Sequence, residues 1–228
     1  MKFPSKKLEK KLFSDGYKNI IAIDEVGMGC LAGPVVVCGV LFSQNFYARA
    51  YKDLYRIRDS KLLSAGQREN FVSQLIKKKH LKFAISYCFP KTIDKINIYQ
   101  SVRLAMRRAI LRLENSKSKI RKLRNTQNSN LGFRASNFKM IVLVDGPAKI
   151  KGLDIEQMAI VRGDRKVFAI SCASIIAKVF RDKMMARYAK KYPQYGFEKH
   201  KGYGTKYHYA KLASFGPSEI HRKSFRLV

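Results

Sequence analysis

The chain has 228 residues, with 47 Lys and Arg against 16 Asp and Glu and a formal net charge of +31. That length suits one compact domain with a real core, and the 46% apolar content is ordinary for a globular protein. The basic excess is larger than solubility requires and points to a polyanionic partner, because Lys and Arg gain affinity for nucleic acid by releasing its condensed counterions. No segment reaches the roughly 18 apolar residues of a membrane span. Met1 to Lys11 is basic without a long apolar run, which excludes a secretory signal. Cys30, Cys38, Cys88 and Cys172 form no CxxC pair, and the four histidines show no zinc-like spacing. The cysteines read as reduced core residues of a cytoplasmic protein.

Lys18 to Asp24 (KNIIAID) is a short apolar run ending in an acid, the pattern of a buried strand. Gly27, Gly29 and Gly33 make a loop, and Pro34 to Phe42 reads as a second strand. Ser64 and Gln67 form a capping-box pattern ahead of a helix over Ala65 to Lys79. Leu81 to Phe89 alternates as a third strand. Ile98, Val102, Ala105, Ala109 and Leu113 recur at helical spacing, which predicts an amphipathic helix over Asn97 to Glu114. Ser116 to Phe138 fits neither period and reads as an exposed basic insertion or loop. Met140 to Asp145 is a fourth strand and Gln157 to Val161 a short fifth. Phe168 to Tyr188 is helical, and the Gly-, Tyr-, His- and Lys-rich tail from Pro193 holds a helix near Thr205 to Ser214. Strands 1 to 3 lie close in sequence, as in an antiparallel meander. Strands 4 and 5 follow crossover segments, as parallel strands require. The expected division is a basic segment over 1–18, a catalytic domain over 19–192 with the 116–138 insertion, and a helical, substrate-binding annex over 193–228.

Acids are scarce, so their places are informative. Asp24 and Glu25 close the first strand, Asp145 closes the fourth, and Asp164 follows the fifth. In an open α/β sheet, ligand sites gather at the carboxyl ends of strands. If strands 1, 4 and 5 are neighbours, the four acids converge, and carboxylates within a few Å of one another raise each other's pKa. Divalent cations relieve that, and oxygen donors suit Mg²⁺ or Mn²⁺. Singly, each acid has another explanation: Asp145 as a turn residue, Asp164 as a helix N-cap, Asp24 or Glu25 as a lysine's partner.

The run Ile23-Asp24-Glu25-Val26-Gly27-Met28-Gly29-Cys30-Leu31-Ala32-Gly33-Pro34-Val35 closely resembles the signature of bacterial ribonuclease HII. The likeness continues through Asp59-Ser60-Lys61, Asn97-Ile98, Val144-Asp145-Gly146, Arg162-Gly163-Asp164, Ala173 to Lys178 and Arg181-Asp182. It ends with His200 to Thr205 and His221 to Phe225. The resemblance implies a ribonuclease H-like α/β fold with a five-stranded mixed sheet flanked by helices. It implies a four-carboxylate site of Asp24, Glu25, Asp145 and Asp164 that binds two Mn²⁺ or Mg²⁺ ions. The activity it implies is cleavage of RNA/DNA hybrids and of DNA containing ribonucleotides, by a monomer. The related HIII type has Glu in place of Asp164.

Further positions follow from the same likeness. Gly27 and Gly29 match the loop whose backbone reads the ribose 2′-OH, where Cβ would obstruct close approach; a tight turn alone also explains glycines there. Tyr203 matches a tyrosine that stacks near the junction deoxyribose, and Lys61 a phosphate contact. Lys178 is as readily a solvated helix residue. Asp182 reads as a helix salt bridge, and His200 and His221 as phosphate contacts or hydrogen-bonded structural residues. Met28 departs from the Arg that the family usually carries. Two other readings remain at this level: a non-catalytic nucleic-acid binder, and another nuclease of the same fold such as a resolvase or transposase-like enzyme. The retained acids argue against the first, the glycine loop and Tyr203 against the second.

Overall fold

The computed structural model describes residues 3–48, 60, 62–78, 81–125 and 139–227. Five strands form one sheet in the order β3-β2-β1-β4-β5: β1 (Asn19–Val26), β2 (Val35–Ser43), β3 (Leu81–Cys88), β4 (Met140–Asp145) and β5 (Glu156–Ile160). The first three pair antiparallel, while β1–β4 and β4–β5 are parallel. The mixed sheet expected from the spacing of the apolar runs is therefore the one observed. β1 and β2 are apolar on both faces because both faces are covered.

The period of two along each strand decides which helix each residue meets. Ile20, Ala22, Cys38, Val40 and Phe42 pack with Ile141 and Leu143 against α7 (Phe168–Lys191). Ile21, Ile23, Val35, Val37 and Leu41 pack with Val142 and Val144 against α5 (Ile98–Asn125). All four cysteines are buried free thiols. No helix among the described residues is long and apolar enough to cross a membrane.

Four short or flanking helices precede α5. The N-terminal segment carries α1 (Lys7–Ser14), whose Leu12 and Phe13 join Tyr17 in the α7-side core. α2 (Gln44–Ala48) follows β2 directly, and its Phe46 packs edge-on to Phe42. α3 (Ala65–Ile76) has both hydrogen bonds of the expected Ser64–Gln67 capping box. α4 (Pro90–Ile96) begins on a proline, whose missing N–H costs nothing at a first helical turn.

The expected boundary at Glu114 is corrected by the structure. α5 continues to Asn125, so the first part of the Ser116–Phe138 segment is helix, and residues 126–138 lie outside the described residues. Ser116 to Asn125 holds no Gly or Pro, and extending a helix already nucleated costs little even without an apolar stripe.

After α6 (Gly163–Lys166) and α7, the chain forms a cap of α8 (Phe197–His200) and α9 (Lys206–Phe215) around Tyr195, Phe197, Leu212 and Ile220. Three buried imidazoles join its parts. His221 Nδ1 accepts from Ser218 N at 2.8 Å, and His221 Nε2 lies 3.0 Å from His208 Nε2. His208 Nδ1 in turn lies 3.0 Å from the Tyr203 carbonyl. These partners assign the protons: His221 carries its own on Nε2 and His208 carries its own on Nδ1. His200 stacks on His208 at 4.2 Å, donates from Nε2 to the Tyr195 carbonyl and accepts from Gly202 N. Every ring nitrogen is used within the protein, so His200 and His221 are structural and not phosphate contacts.

A second proton on His208 or His221 would set N–H against N–H. Burial, opposed by the backbone hydrogen bonds and reinforced by neighbouring imidazoles, pushes both pKa values down to about 4. Both lie below the 6.5 of an exposed imidazole, so the unfolded chain takes up protons first as the pH falls. The stability these groups contribute is complete above pH 6.5 and is lost as the pH drops toward 4. The NMR ring signals of His208 and His221 should hold their neutral-form positions down to about pH 5. A transition near 6.5 in either ring would overturn the tautomer assignment.

Candidate active site

Strand parity brings the acids together. Ile20 pairs with Ile141 and Ala22 with Leu143 across the parallel β1–β4 ladder, all on the α7 face. Asp24 and Asp145 are the next residues of the same parity, so both carboxylates emerge side by side where the strands end. Asp24 is 4% exposed; its Oδ1 accepts from Glu25 N at 2.8 Å, and Ser174 of α7 bonds its carboxylate. Asp145 Oδ1 accepts from Gly163 N at 2.6 Å, which ties the end of β4 to the turn that begins α6. Asp164 stands in the first turn of α6; the N-cap is Arg162, so Asp164 does not serve as the cap. Asp24, Glu25, Asp145 and Asp164 line one cleft of about 450 Å³.

The cleft holds more negative charge than its surroundings stabilise. Burial, then the charges of Glu25 and Asp145, raises the Asp24 pKa well above the carboxylate range, against the pull of Ser174 and Glu25 N. Glu25 is raised to about 7 by burial first, and then by Asp145 and Asp164. Among the described residues no three carboxylate, imidazole or thiolate groups close on a single point. Asp24 and Asp145 each commit an oxygen to a backbone N–H, while their remaining oxygens share the cleft. An all-oxygen, mutually repelling donor set fits hard divalent cations, which replace the protons that the group otherwise holds.

The glycine loop after β1 is shaped by two buried arginines. Arg222 donates to the carbonyls of Gly27 (2.6 Å), Met28 (2.8 Å) and Gly33 (3.1 Å). Arg181 donates to Pro34, Ala32 and Lys201. Both are fully buried, with no carboxylate partner for either among these bonds. Sequence reasoning missed them. Each lies in a quoted motif, but arginine in so basic a chain reads as surface, and their acceptors are backbone carbonyls up to 195 positions away. Asp182, expected in a helix salt bridge, pairs with Lys178 at 2.8 Å one turn back and with Arg68 at 3.5 Å.

The two loop glycines have different reasons to be glycine. Gly27 has φ +88°, and a Cβ there would run into the Arg181 side chain. Protein packing fully accounts for it. At Gly29 a Cβ would meet no protein atom within 4 Å, so packing gives no reason for glycine there. Gly29 lines the cleft with Gly27 and Met28, and Met28 also packs on the α5-side core. Tyr203 lines the same cleft, 38% exposed, bridged through its backbone to Cys30. Lys178 stands 5.9 Å from its ring centroid. Lys61 lies outside the described residues, although its neighbour Ser60 reaches the cleft and lies 3.3 Å from Ser174.

Residues 21–228 match the family model described as Ribonuclease HII. The chain belongs to the ribonuclease HII family. A curated Ribonuclease HII from Caldicellulosiruptor bescii is 40% identical over 218 residues, covering 96% of this chain and 91% of the relative. The structure resembles the ribonuclease HII solved with PCNA from Archaeoglobus fulgidus, with TM-score 0.65 and 25% identity over 90% of this chain and 92% of that one. It also shares the fold of Bst-RNase HIII solved in complex with Mn²⁺, at TM-score 0.63 and 14% identity over 93% of this chain and 68% of that one. Family membership makes the chain a nuclease of the ribonuclease H type: a metal-dependent hydrolase acting on nucleic acid. The non-catalytic binder and the resolvase-like alternatives are thereby set aside.

The glycine analysis separates two variants. Gly29→Ala should keep the wild-type thermal stability, to within about 0.5 kcal/mol, while weakening affinity for an RNA/DNA duplex. Gly27→Ala should destabilise the protein by more than about 1 kcal/mol, through the positive φ and the Arg181 contact. Thermal melts and duplex titrations of both variants check this; a Gly29→Ala protein with unchanged duplex affinity contradicts the close approach of substrate there.

Proposed function

We propose that this chain hydrolyses the RNA strand of RNA/DNA hybrids and cuts on the 5′ side of ribonucleotides embedded in duplex DNA, with Asp24, Glu25, Asp145 and Asp164 holding two Mg²⁺ or Mn²⁺ ions. The observation that supports this best is that one cleft combines the four carboxylates with the Gly27–Gly29 backbone and the Tyr203 ring. Bound cations would supply an activated water and neutralise charge on the leaving oxygen of the phosphodiester. Asp24, Glu25 and Asp145, set by strand register, and Asp164, set by the α6 turn, are the proposed ligands. Their placement fixes where the scissile phosphate sits, against the loop that Arg222 and Arg181 hold.

Within that loop Gly29 presents backbone without Cβ to the ribose 2′-OH, which is how the protein tells RNA from DNA. The 2′-OH is recognised and is not the nucleophile. Tyr203 stacks on the deoxyribose side of the junction, and the 193–228 annex carries it there. The Lys and Arg excess supplies most of the affinity through phosphates. Lys61 is proposed as one such contact. Met28 lacks the charge-assisted phosphate bond that an arginine would make, a class worth ~1.5–3 kcal/mol when well formed. We assign the protein to the cytoplasm as a monomer, and the four buried free thiols support a reducing compartment.

Incubation with DNA/DNA, RNA/DNA and DNA carrying one ribonucleotide should show cleavage of the last two only, leaving 3′-OH and 5′-phosphate ends. A 2′,3′-cyclic phosphate product would rule the water mechanism out. Asp145→Asn should lower cleavage by a factor on the order of 10³ or more while leaving duplex affinity nearly unchanged. Near wild-type cutting by this variant in excess metal would remove Asp145 from the ligand set.

A further inference from the structure

The turn that carries Asp164 is held from two sides. On one, Gly163 N donates to Asp145 Oδ1. On the other, the N-terminal segment grips the turn's exit. Ser5 N donates to the Lys166 carbonyl at 2.9 Å, and Phe168 N donates to the Ser5 carbonyl at 3.1 Å, which brackets Val167 in a parallel bridge. The next N–H of α7, that of Ala169, donates at 2.8 Å to Oε1 of Glu9 in α1. The α7 N-cap, Val167, has no side-chain cap of its own. The first two N–H groups of this 24-residue helix, orphaned by helix geometry, are thus satisfied by the Ser5 carbonyl and by Glu9 of α1.

Glu9 is an unusual choice for this place. It is fully buried beside Leu12, Phe13 and Phe168. Its Oε1 also accepts from Tyr47 at 3.2 Å, and its Oε2 is buried with no hydrogen-bond partner. Burying a carboxylate with one oxygen unsatisfied costs stability, although an apolar residue there would in turn leave the Ala169 N–H and the Tyr47 hydroxyl unpaired. The gain lies in direction: an anionic acceptor fixes where the α7 N-terminus sits, with the helix dipole reinforcing it.

We propose that Glu9 is a positioning residue for the nuclease reaction, fixing from α1 the start of α7 and through it the orientation of the Asp164 turn. The inference rests on the reading of Asp164 as a metal ligand. Glu9 touches neither substrate nor metal; it acts through Ala169, Val167 and the α6 turn. α1 lies ahead of residue 21, where the family match begins, so this contact is additional to the matched region.

The test uses the full chain and separates positioning from stability. Glu9→Leu fills the same space but leaves the Ala169 N–H and the Tyr47 hydroxyl without an acceptor, so it should melt below the wild-type temperature while staying folded at the assay temperature. Its Mn²⁺ affinity, measured by calorimetry without substrate, should nevertheless fall on the order of tenfold. Its kcat should fall in parallel, with KM for the duplex unchanged. Glu9→Gln keeps an oxygen acceptor and should restore most of both. Glu9→Asp keeps the charge but draws the acceptor back, and should shift Mn²⁺ affinity in the same direction as Leu. Wild-type Mn²⁺ affinity and kcat in both Glu9→Leu and Glu9→Asp would overturn the proposal and leave Glu9 as packing alone. Asp164→Asn is the control for the underlying reading. If it binds Mn²⁺ and cuts as wild type does, the ligand assignment fails first and this inference with it.

Discussion

The loop proposed to face the substrate depends on two guanidinium groups buried without a carboxylate partner. Arg222 and Arg181 direct six N–H bonds at backbone carbonyls of residues 27–34 and 201. A buried charge is tolerable only where hydrogen bonds replace its water, and carbonyl dipoles fill that role here. The planar fork of arginine suits several acceptors at fixed angles; a lysine ammonium at either position would reach fewer of them. The carboxylate cleft, the glycine backbone and Tyr203 keep their mutual geometry because this pair joins the first hairpin, α7 and the C-terminal segment.

Charge of both signs is thus held inside one small protein by different means. The acidic cluster at the ends of β1 and β4 is buried and under-compensated, which raises the pKa values of Asp24 and Glu25 and prepares the site for cations. The arginines next to it are spent on carbonyls and do not neutralise it. The histidines of the cap stay neutral because each ring nitrogen already has a partner. A strongly basic protein can hold an anionic site only if its cations are kept from collapsing onto it, and three cations around the cleft and its glycine loop are engaged elsewhere: Lys178 with Asp182, Arg181 and Arg222 with the backbone.

Much of this was legible in the sequence, and the part that was not has a common cause. The five strands and the mixed topology follow from the apolar runs and their spacing, and the helices over 65–76, 168–191 and 206–215 from a capping box and helix-forming composition. The convergence of Asp24 and Asp145 follows from their position at the ends of strands of like pattern. Interactions between a side chain and a distant backbone leave no local trace. Arg181 and Arg222 stand in motifs with nothing local to mark them as buried, Glu9 is one acid in a basic segment, and His200 and His221 read equally as phosphate contacts or hydrogen-bonded structural residues. The helix past Glu114 was hidden for a different reason: Ser116 to Asn125 lacks the apolar stripe used to recognise a helix, although nothing in it breaks one.

The Arg222 clamp also sets an order of events during synthesis. The Gly27–Gly33 loop leaves the ribosome early, but the side chain that fixes its carbonyls is translated almost two hundred residues later. The sheet and its two helical layers are complete in sequence by Lys191. A nascent chain can therefore bury its core and line up its acids while its substrate-reading loop still lacks half of its internal support. The surface proposed to discriminate ribose from deoxyribose is finished by the last stretch of polypeptide, so a chain stopped short of Arg222 would present an assembled acidic cleft beside an unclamped loop.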